Sequence, residues 1–416
     1  MTSTKSSSRP PRPEYKTYGQ IVWGQFKKYR LSYYSIYGLL GLFVLAMVAP
    51  VLAMNVPFYM HVPESVTAYP QFSGTTSFPW FKALFDQNFF DSGVDIFFNF
   101  LLFYVPAGLL GWTVTARVKK GLSDTERQRL RSRFIGIVSL VGLILFCVVY
   151  FAKFRQPYVD YASVAALDGT NVIFPLIEYS YRDIDLMAVS QGPSLEHLLG
   201  TDREGRDVFT RLIYGTRISL TIGVVAVSIY TSIGLVLGSL AGFFGGRVDS
   251  IILRMIEIMM CFPVLFLILT LAGFIEEPSI FHIMLIIGLT GWTGIARLVR
   301  GEFLRLRNQD FVQAAIALGF TQARIIFRHV LPNAVQPVFV SATFGVAGAI
   351  LIEATLSFLG VGPANAPSWG QILTSGRNTQ QMTLILSSGF AIFLTISLLN
   401  LIGEGLRDAT DPKLRK

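Results

Sequence analysis

The chain has 416 residues, of which 52% are hydrophobic and only 15% are charged. Soluble domains carry about a quarter charged residues, so this composition favours a membrane protein. Lys and Arg number 35 against 26 Asp and Glu, a net charge of +9. These basic residues lie beside apolar runs, which favours a membrane lipid surface over nucleic acid as the partner. The two cysteines, both inside apolar runs, exclude a disulfide framework and a zinc site.

Eight apolar stretches are long enough to cross a bilayer as helices, which takes roughly 20 residues. They are residues 33–54, 94–116, 134–152, 217–243, 249–274, 279–299, 333–359 and 382–403. The sequence therefore predicts an all-α polytopic membrane protein with about eight transmembrane helices. The first stretch also fits a signal peptide. It is longer than a typical signal-peptide apolar region, so we expect an uncleaved anchor.

The charges between these stretches predict the orientation. Residues 1–30 carry seven basic side chains against one acidic, residues 117–133 carry seven against two, and residues 297–328 contain six arginines. By contrast, residues 55–93 have one lysine, and the connection 274–281 has two glutamates and no basic residue. Basic connections remain on the cytoplasmic side of a membrane. Both termini should therefore be cytoplasmic.

These boundaries divide the chain into segments. They are a basic cytoplasmic tail (1–32), the first transmembrane helix (33–54), an external loop with an inserted hairpin (55–152, with helices 94–116 and 134–152), an external segment (153–210), a helical core (211–406) and a cytoplasmic tail (407–416). The Ser- and Pro-rich first tail should be disordered. The sequence shows no repeat of fixed period and no inverted repeat of the kind many secondary transporters have.

One cytoplasmic connection, residues 300–332, has a helix–turn–helix pattern. Phe311, Ala314, Ala315 and Leu318 form an apolar stripe at helical spacing, too short to span. Gly319 follows, where a helix would stop with positive φ, and Thr321 can cap a second short helix before Pro332 opens the next span. Such an element suits docking to a partner, with the small alanine pair allowing close approach. An amphipathic helix resting on lipid fits the pattern equally well.

The amino-acid sequence of this connection is similar to a motif of a known transporter family. The run QAAIALG, followed by HVLP, resembles the EAA loop of ATP-binding-cassette importer permeases. The resemblance implies that the loop couples the chain to an ATPase subunit. The implied coupling residues are Asp310, Phe311, Gln313, Ala314, Ala315, Leu318 and Gly319. Position 313 is Gln where the family usually has Glu, so the charge needed for an ion pair at this position is absent.

Four further stretches are similar to the peptide/nickel branch of that family, in its C-type subunit. They are GTDREGRD at 200–207, FGGRVD at 244–249, EATLSFLGVGPANAPSWG at 353–370 and IGEGLRDATDP at 402–412. Together the resemblance covers residues 199–414, in family order. It implies a six-helix type I importer core, formed by the first span and the last five, with the hairpin 94–152 as an insertion.

The same resemblance implies location and partners. We expect a bacterial inner-membrane subunit that pairs with a homologous permease subunit, two ATP-binding subunits and an external solute-binding protein. The expected substrate is a di- or oligopeptide, with nickel or another small solute as the alternative. The chain itself has no GxxxxGK[ST] phosphate loop, GxSxG or HExxH. No catalytic residue, metal site or cofactor is therefore expected here, and ATP and Mg²⁺ should be bound by the partner ATPase subunits.

Several single residues have two interpretations. Asp202, Arg206 and Asp207, in the expected external loop, fit a local salt-bridge network better than substrate contact, although the resemblance places them near an external gate. Glu353 has no basic residue nearby in sequence, so it is a candidate for lining the pathway or for capping. Asp249 should cap a helix, and Arg254 should pair with Glu257 three residues later.

Two other classes of protein remain as rivals. A secondary transporter or channel should show charged residues at broken midplane helices. A membrane-embedded enzyme should show paired acid–base groups or a nucleophile with its base, and the sequence shows none. Dependence of uptake on ATP or on an ion gradient would separate the first rival from an importer.

Overall fold

The structure is a computed structural model that describes residues 18–66, 69–118, 124–152, 155, 157, 159–276, 278–363 and 366–411. The first half contains α1 Tyr18–Phe26, α2 Arg30–Leu52, β1 Tyr59–Val62, β2 Thr75–Ser77, α3 Pro79–Ala83, α4 Gly93–Val118, α5 Asp124–Ala152, α6 Tyr161–Ala165 and β3 Asn171–Ile173. The predicted disorder of the first tail concerns residues that lie mostly outside the described ones.

The second half is almost entirely helical. Its elements are α7 Val208–Phe244, α8 Gly246–Met260, α9 Val264–Gly273, α10 Ile280–Thr290, α11 Trp292–Leu306, α12 Asp310–Ala317, α13 Gln322–Ile325, the π-helix Ile326–Val330, α14 Leu331–Phe358, α15 Trp369–Thr379 and α16 Met382–Thr410. Within the described residues, seven helical segments are long and apolar enough to span a membrane, or eight if the bent pair α8–α9 counts as one. The predicted all-α polytopic class with about eight spans is confirmed.

One predicted span is broken. Residues 249–274 are predicted to form one transmembrane helix, but the structure has two helices there, α8 and α9, which meet at an angle of 80°. Pro263 is the N-cap residue of α9. Proline has no N–H to donate and its ring crowds the preceding turn, so the helix ends before it and restarts in a new direction.

Two helices begin earlier than their apolar residues predict. α7 starts at Val208, before the expected 217 and before the core boundary at 211, because the Asp207 side chain accepts a hydrogen bond from the Thr210 N–H at 2.7 Å and caps the helix. The predicted second short helix of the 300–332 connection is α13, and it is not separate from the next span. It continues through the π-helix Ile326–Val330 into α14. The wider turn of a π-helix accommodates Pro332, which has no N–H to donate.

The bundle is organised around α7, which contacts α2, α10, α11 and α14. Three glycines four residues apart, Gly234, Gly238 and Gly242, face α11. A Cβ built on Gly238 would lie 2.5 Å from the Ala296 carbonyl oxygen. These positions need glycine because the two helix backbones approach too closely for any side chain.

A small sheet lies at one end of the bundle, hereafter the sheet end. β1 pairs antiparallel with β2 and β3, with Met60 opposite both Ser77 and Val172. The sequence analysis did not predict these strands, because three or four residues are too few for a clear alternating pattern. The opposite end, hereafter the turn end, carries the α7–α8 turn and the α11–α12–α13 connections.

Candidate functional site

At the turn end, α12 packs on the bundle through one face. Val312 and Ala315 are buried in a cluster with Val299 and Phe303 of α11. The predicted alanine pair is therefore divided: Ala315 is 3% exposed and contacts its own chain, while Ala314 points outward. The expectation that both alanines offer close approach to a partner is wrong for Ala315, because the helix phase turns it toward α11.

The other face of α12 is open. Asp310, Gln313 and Gly319 are exposed, and so are three large apolar side chains, Phe311 at 42%, Ile316 at 51% and Leu318 at 72% exposure. Large apolar side chains that remain exposed beside a rigid helix are typical of contact surfaces or of lipid contact. We call the exposed set Asp310, Phe311, Gln313, Ala314, Leu318 and Gly319 the α12 face.

The turn after α12 has the predicted geometry. Gly319 has φ +73°, and the Phe320 N–H donates to the Ala315 carbonyl at 3.2 Å. This is the left-handed stop that glycine adopts without penalty. Thr321 then caps α13 by accepting from the Arg324 N–H at 3.4 Å. The predicted positive φ of Gly319 and the predicted Thr321 cap are both confirmed, whereas the coupling role of Gly319 stays a prediction.

Gln313 has a role that the resemblance did not indicate. Its side-chain Nε2 donates to the Arg307 carbonyl at 3.0 Å, at the carboxyl end of α11. An ionised Glu has no proton to donate there. The amide thus ties α12 to α11 in a way that the more usual family residue cannot.

A long-range ion pair holds the same end together. Arg300 of α11 donates through Nη2 to Asp249 Oδ2 at 2.6 Å. Asp249 was expected to cap α8, but the N-cap residue of α8 is Gly245, with φ +66° and no side-chain cap. The sequence separation of 51 residues hid this pair. The predicted Arg254–Glu257 pair does form, at 2.8 Å, with both side chains exposed.

At the sheet end, Asp202 is the centre of a buried charge network. It is 2% exposed and accepts from Arg206 Nε at 2.9 Å and from Arg211. Burial raises the pKa of Asp202, but Arg211 and Arg206 lower it more, so the net pKa falls below its ordinary value. The carboxylate is therefore ionised and fully engaged within the chain.

Asp207 is equally engaged. Besides capping α7, its Oδ2 lies 3.0 Å from Nδ1 of His197, and it is 3% exposed. These contacts favour the salt-bridge interpretation of Asp202, Arg206 and Asp207 over direct substrate contact. Their proximity to an external gate stays a prediction.

Glu353 is placed by the structure inside the protein. It is 1% exposed in α14 and accepts a hydrogen bond from Ser357 Oγ at 2.9 Å. Among the described residues, no Lys, Arg or His forms an ion pair with it. A role in lining the pathway stays a prediction. The described residues contain no cluster of three or more His, Cys, Asp or Glu that could hold a metal ion.

The helical bundle with its bent span and its two polar end regions defines a multi-spanning membrane protein. Residues 234–416 match the model of the family described as "Binding-protein-dependent transport system inner membrane component". The chain is 41% identical over 243 residues to a protein of Alkalihalophilus pseudofirmus named dipeptide transport system permease protein DppC, covering 58% of this chain and 80% of that one. The chain belongs to this transport family.

Two further similarities complete the comparison. The oligopeptide transport system permease protein OppC of Bacillus subtilis is 36% identical over 302 residues, covering 72% of this chain and 92% of that protein. Among solved structures, the MetNI methionine ABC transporter in an inward-facing conformation is a weak likeness. Its TM-score is 0.41 at 18% identity, and the match covers 48% of this chain and 97% of that chain.

Proposed function

We propose that this chain is a permease subunit of an ATP-driven importer and that it forms part of the translocation pathway for di- or oligopeptides. The observation that supports this most is the similarity to DppC and OppC, whose names describe dipeptide and oligopeptide transport and of which 80% and 92% are covered. The chain itself performs no bond-making step, and ATP and Mg²⁺ are bound by partner ATPase subunits.

The α12 face is the proposed contact with an ATP-binding subunit. It combines exposed Phe311 and Leu318 with the acidic Asp310 in the first turn of α12. Its buried side is fixed to α11, its start is tied by Gln313, and its end is set by Gly319. Because α12 is fixed in this way, a movement of the partner subunit against it would displace α11 and α14 as well. An interfacial helix that rests on lipid would need no such fixed turn.

The proposed orientation puts the turn end in the cytoplasm and the sheet end outside. The arginines of residues 297–328 lie at the turn end, as the positive-inside rule requires. The second basic run, 117–133, has side chains that lie almost entirely outside the described residues. On this orientation the α12 face meets one of the two ATP-binding subunits, which this chain shares with the homologous permease subunit. The sheet end meets an external solute-binding protein.

Reconstitution tests the proposal. The whole transporter, with its partner subunits, would be placed in liposomes with ATP sealed inside and a labelled dipeptide or tripeptide outside with the solute-binding protein. Uptake should require ATP and the binding protein, and should not respond to a proton or sodium gradient.

Gradient-driven uptake without ATP would identify a secondary transporter instead. ATP-dependent uptake of nickel, with peptides neither transported nor competing, would keep the importer class and change the substrate. Purified alone, the chain should hydrolyse no ATP above the level of a membrane-protein blank.

A further inference from the structure

A charged side chain is buried in α7, one of the helices long enough to span a membrane. Arg217 of α7 is 0% exposed. Its Nη1 lies 3.2 Å from Asp95 Oδ1, its Nη2 donates to Asn99 Oδ1 at 2.8 Å, and its Nε donates to the Ala46 carbonyl at 2.7 Å. All three guanidinium nitrogens are thus engaged.

The partners of Arg217 come from a different part of the chain. Asp95 and Asn99 lie one turn apart on α4, the first helix of the inserted hairpin, and are 2% and 0% exposed. Asp95 also accepts from the Tyr181 hydroxyl at 3.1 Å, and Asn99 donates to the Leu84 carbonyl at 2.7 Å. Every side-chain oxygen and nitrogen of Asp95 and Asn99 is therefore within hydrogen-bonding distance of a partner.

Aromatic rings close the faces of the guanidinium. The Cζ atom of Arg217 lies 5.0 Å from the centre of the Tyr214 ring and 5.5 Å from that of Phe98. The Tyr214 hydroxyl in turn donates to the Ala53 carbonyl at 2.9 Å, just after α2. Water is therefore excluded from the ion pair, and neither charge has bulk solvent as a substitute partner.

We propose that the hairpin α4–α5 supplies the counter-ion of the core, with Asp95 compensating Arg217, so that the permease core of this chain depends on the hairpin. Removing one partner of a buried ion pair leaves the other charge without a counter-ion in a medium of low dielectric constant, which is strongly unfavourable. Removing both charges together is often tolerated. The inserted hairpin is therefore an integral part of the bundle and not an accessory attached to it.

The same cluster joins several segments at the sheet end. α2 contributes the Ala46 carbonyl, α4 contributes Asp95 and Asn99, α7 contributes Arg217, and the segment before α7 contributes Tyr181. The Arg217 guanidinium therefore bonds α2 and α4 to α7 directly, and Tyr181 is bonded to the cluster through Asp95. The outer half of α7 and the first span are thus held to the hairpin by charge as well as by apolar packing.

A double-variant cycle in the complete transporter tests this inference. Asp95→Asn and Arg217→Gln each leave one uncompensated charge, and we expect each to lower the yield of assembled, detergent-extracted complex at least tenfold. The double variant Asp95→Asn/Arg217→Gln is neutral and keeps hydrogen-bonding amides at both positions. It should recover the yield, the Tm of the purified complex and uptake to within about threefold of the parent.

The matched control is Asp91→Asn. Asp91 lies close to Asp95 in the sequence and pairs with Arg182, but its side chain is 59% exposed. It should change yield by less than twofold. A normal yield for Asp95→Asn, or a double variant no better than the worse single variant, would overturn the counter-ion role. Because yield and Tm are measured without any solute, they are independent of which substrate the transporter carries.

Discussion

Gly319 offers the sharpest test of how the α12 face works. Its φ is +73°, and a Cβ built there would meet no atom within 4 Å. A side chain at this position therefore costs only backbone strain and causes no collision. For an L-residue in the left-handed region that strain is about 1 to 2 kcal/mol, and it is largest for β-branched residues. The population of the native turn should fall by a factor of roughly 5 to 30.

The effect should appear in coupling and not in membrane insertion, because Gly319 is exposed and packs against nothing. We expect Gly319→Val to reach the membrane in normal amounts, to co-purify with less ATP-binding subunit, and to transport at a small fraction of the parent rate. Gly319→Asn should be milder, since Asn tolerates positive φ. The assay is co-purification together with ATP-dependent uptake in liposomes.

Gly301→Ala is the matched control. Gly301 lies in α11 with equally open space around its Cβ, but with ordinary helical φ, so alanine should be neutral or slightly stabilising there. Gly319→Ala, the variant of equal size, should lose docking and uptake because alanine is strained at positive φ. Equal losses in Gly301→Ala and Gly319→Ala would show that backbone conformation is not the cause. Full docking and full uptake in Gly319→Val would mean that the α12 face does not transmit the ATPase motion.

Three further outcomes are expected. Gly238→Leu should push α7 away from α11 and lower the free energy of unfolding by about 1 to 3 kcal/mol, measured as a lower Tm of the purified complex. Gly348→Leu should leave the Tm unchanged, because a Cβ at Gly348 meets no atom within 4 Å. Burial raises the pKa of Asp183 from 3.8 to about 6. The folded state therefore binds the carboxyl proton of Asp183 more tightly than the unfolded state does. The free energy of unfolding should fall by about 2 to 3 kcal/mol as pH rises from 4 to 6 and then level off. Asp183→Asn should flatten that slope in pH-dependent melting curves, and an unchanged slope would remove Asp183 as its origin. Glu353→Gln should keep uptake, because an amide oxygen can still accept from Ser357, while loss of uptake with normal assembly would favour a pathway role.

Features that depend on local sequence were predictable. The spans follow from the length of each apolar run, and the Gly319 stop and Thr321 cap follow from the backbone preferences of single residues. The start of α7 was missed because the capping residue, Asp207, lies ten residues before the predicted apolar run begins. The break between α8 and α9 also had a local signal in Pro263, but the apolar run continues through it and hides the change of direction.

Features that depend on tertiary contact were not predictable from one sequence. Ala314 and Ala315 are chemically identical neighbours, and only the packing of α12 on α11 decides which one is buried. The Asp249–Arg300 pair joins residues 51 apart, and the Asp95–Arg217 pair joins residues 122 apart. Asp249 and Arg300 each have another opposite charge within five residues, at Arg254 and Glu302, whereas Asp95 has no basic residue between positions 83 and 116. Spacing alone therefore gives no reason to prefer the true partner.

Gln313 shows how a departure from a family pattern acquires meaning only from the structure. From the sequence, replacement of a carboxylate by an amide removes a charge and so implies a weaker contact. In the folded chain the amide donates to the Arg307 carbonyl, one of the carbonyls left without a helical partner at the end of α11. That bond needs a donor, which an ionised carboxylate lacks. The substitution therefore exchanges a charge available to a partner subunit for an internal bond that fixes the angle between α11 and α12. Gln313 thus fixes the angle between α11 and α12, and Gly319 sets the turn from α12 into α13. The proposed coupling role requires both connections to be rigid.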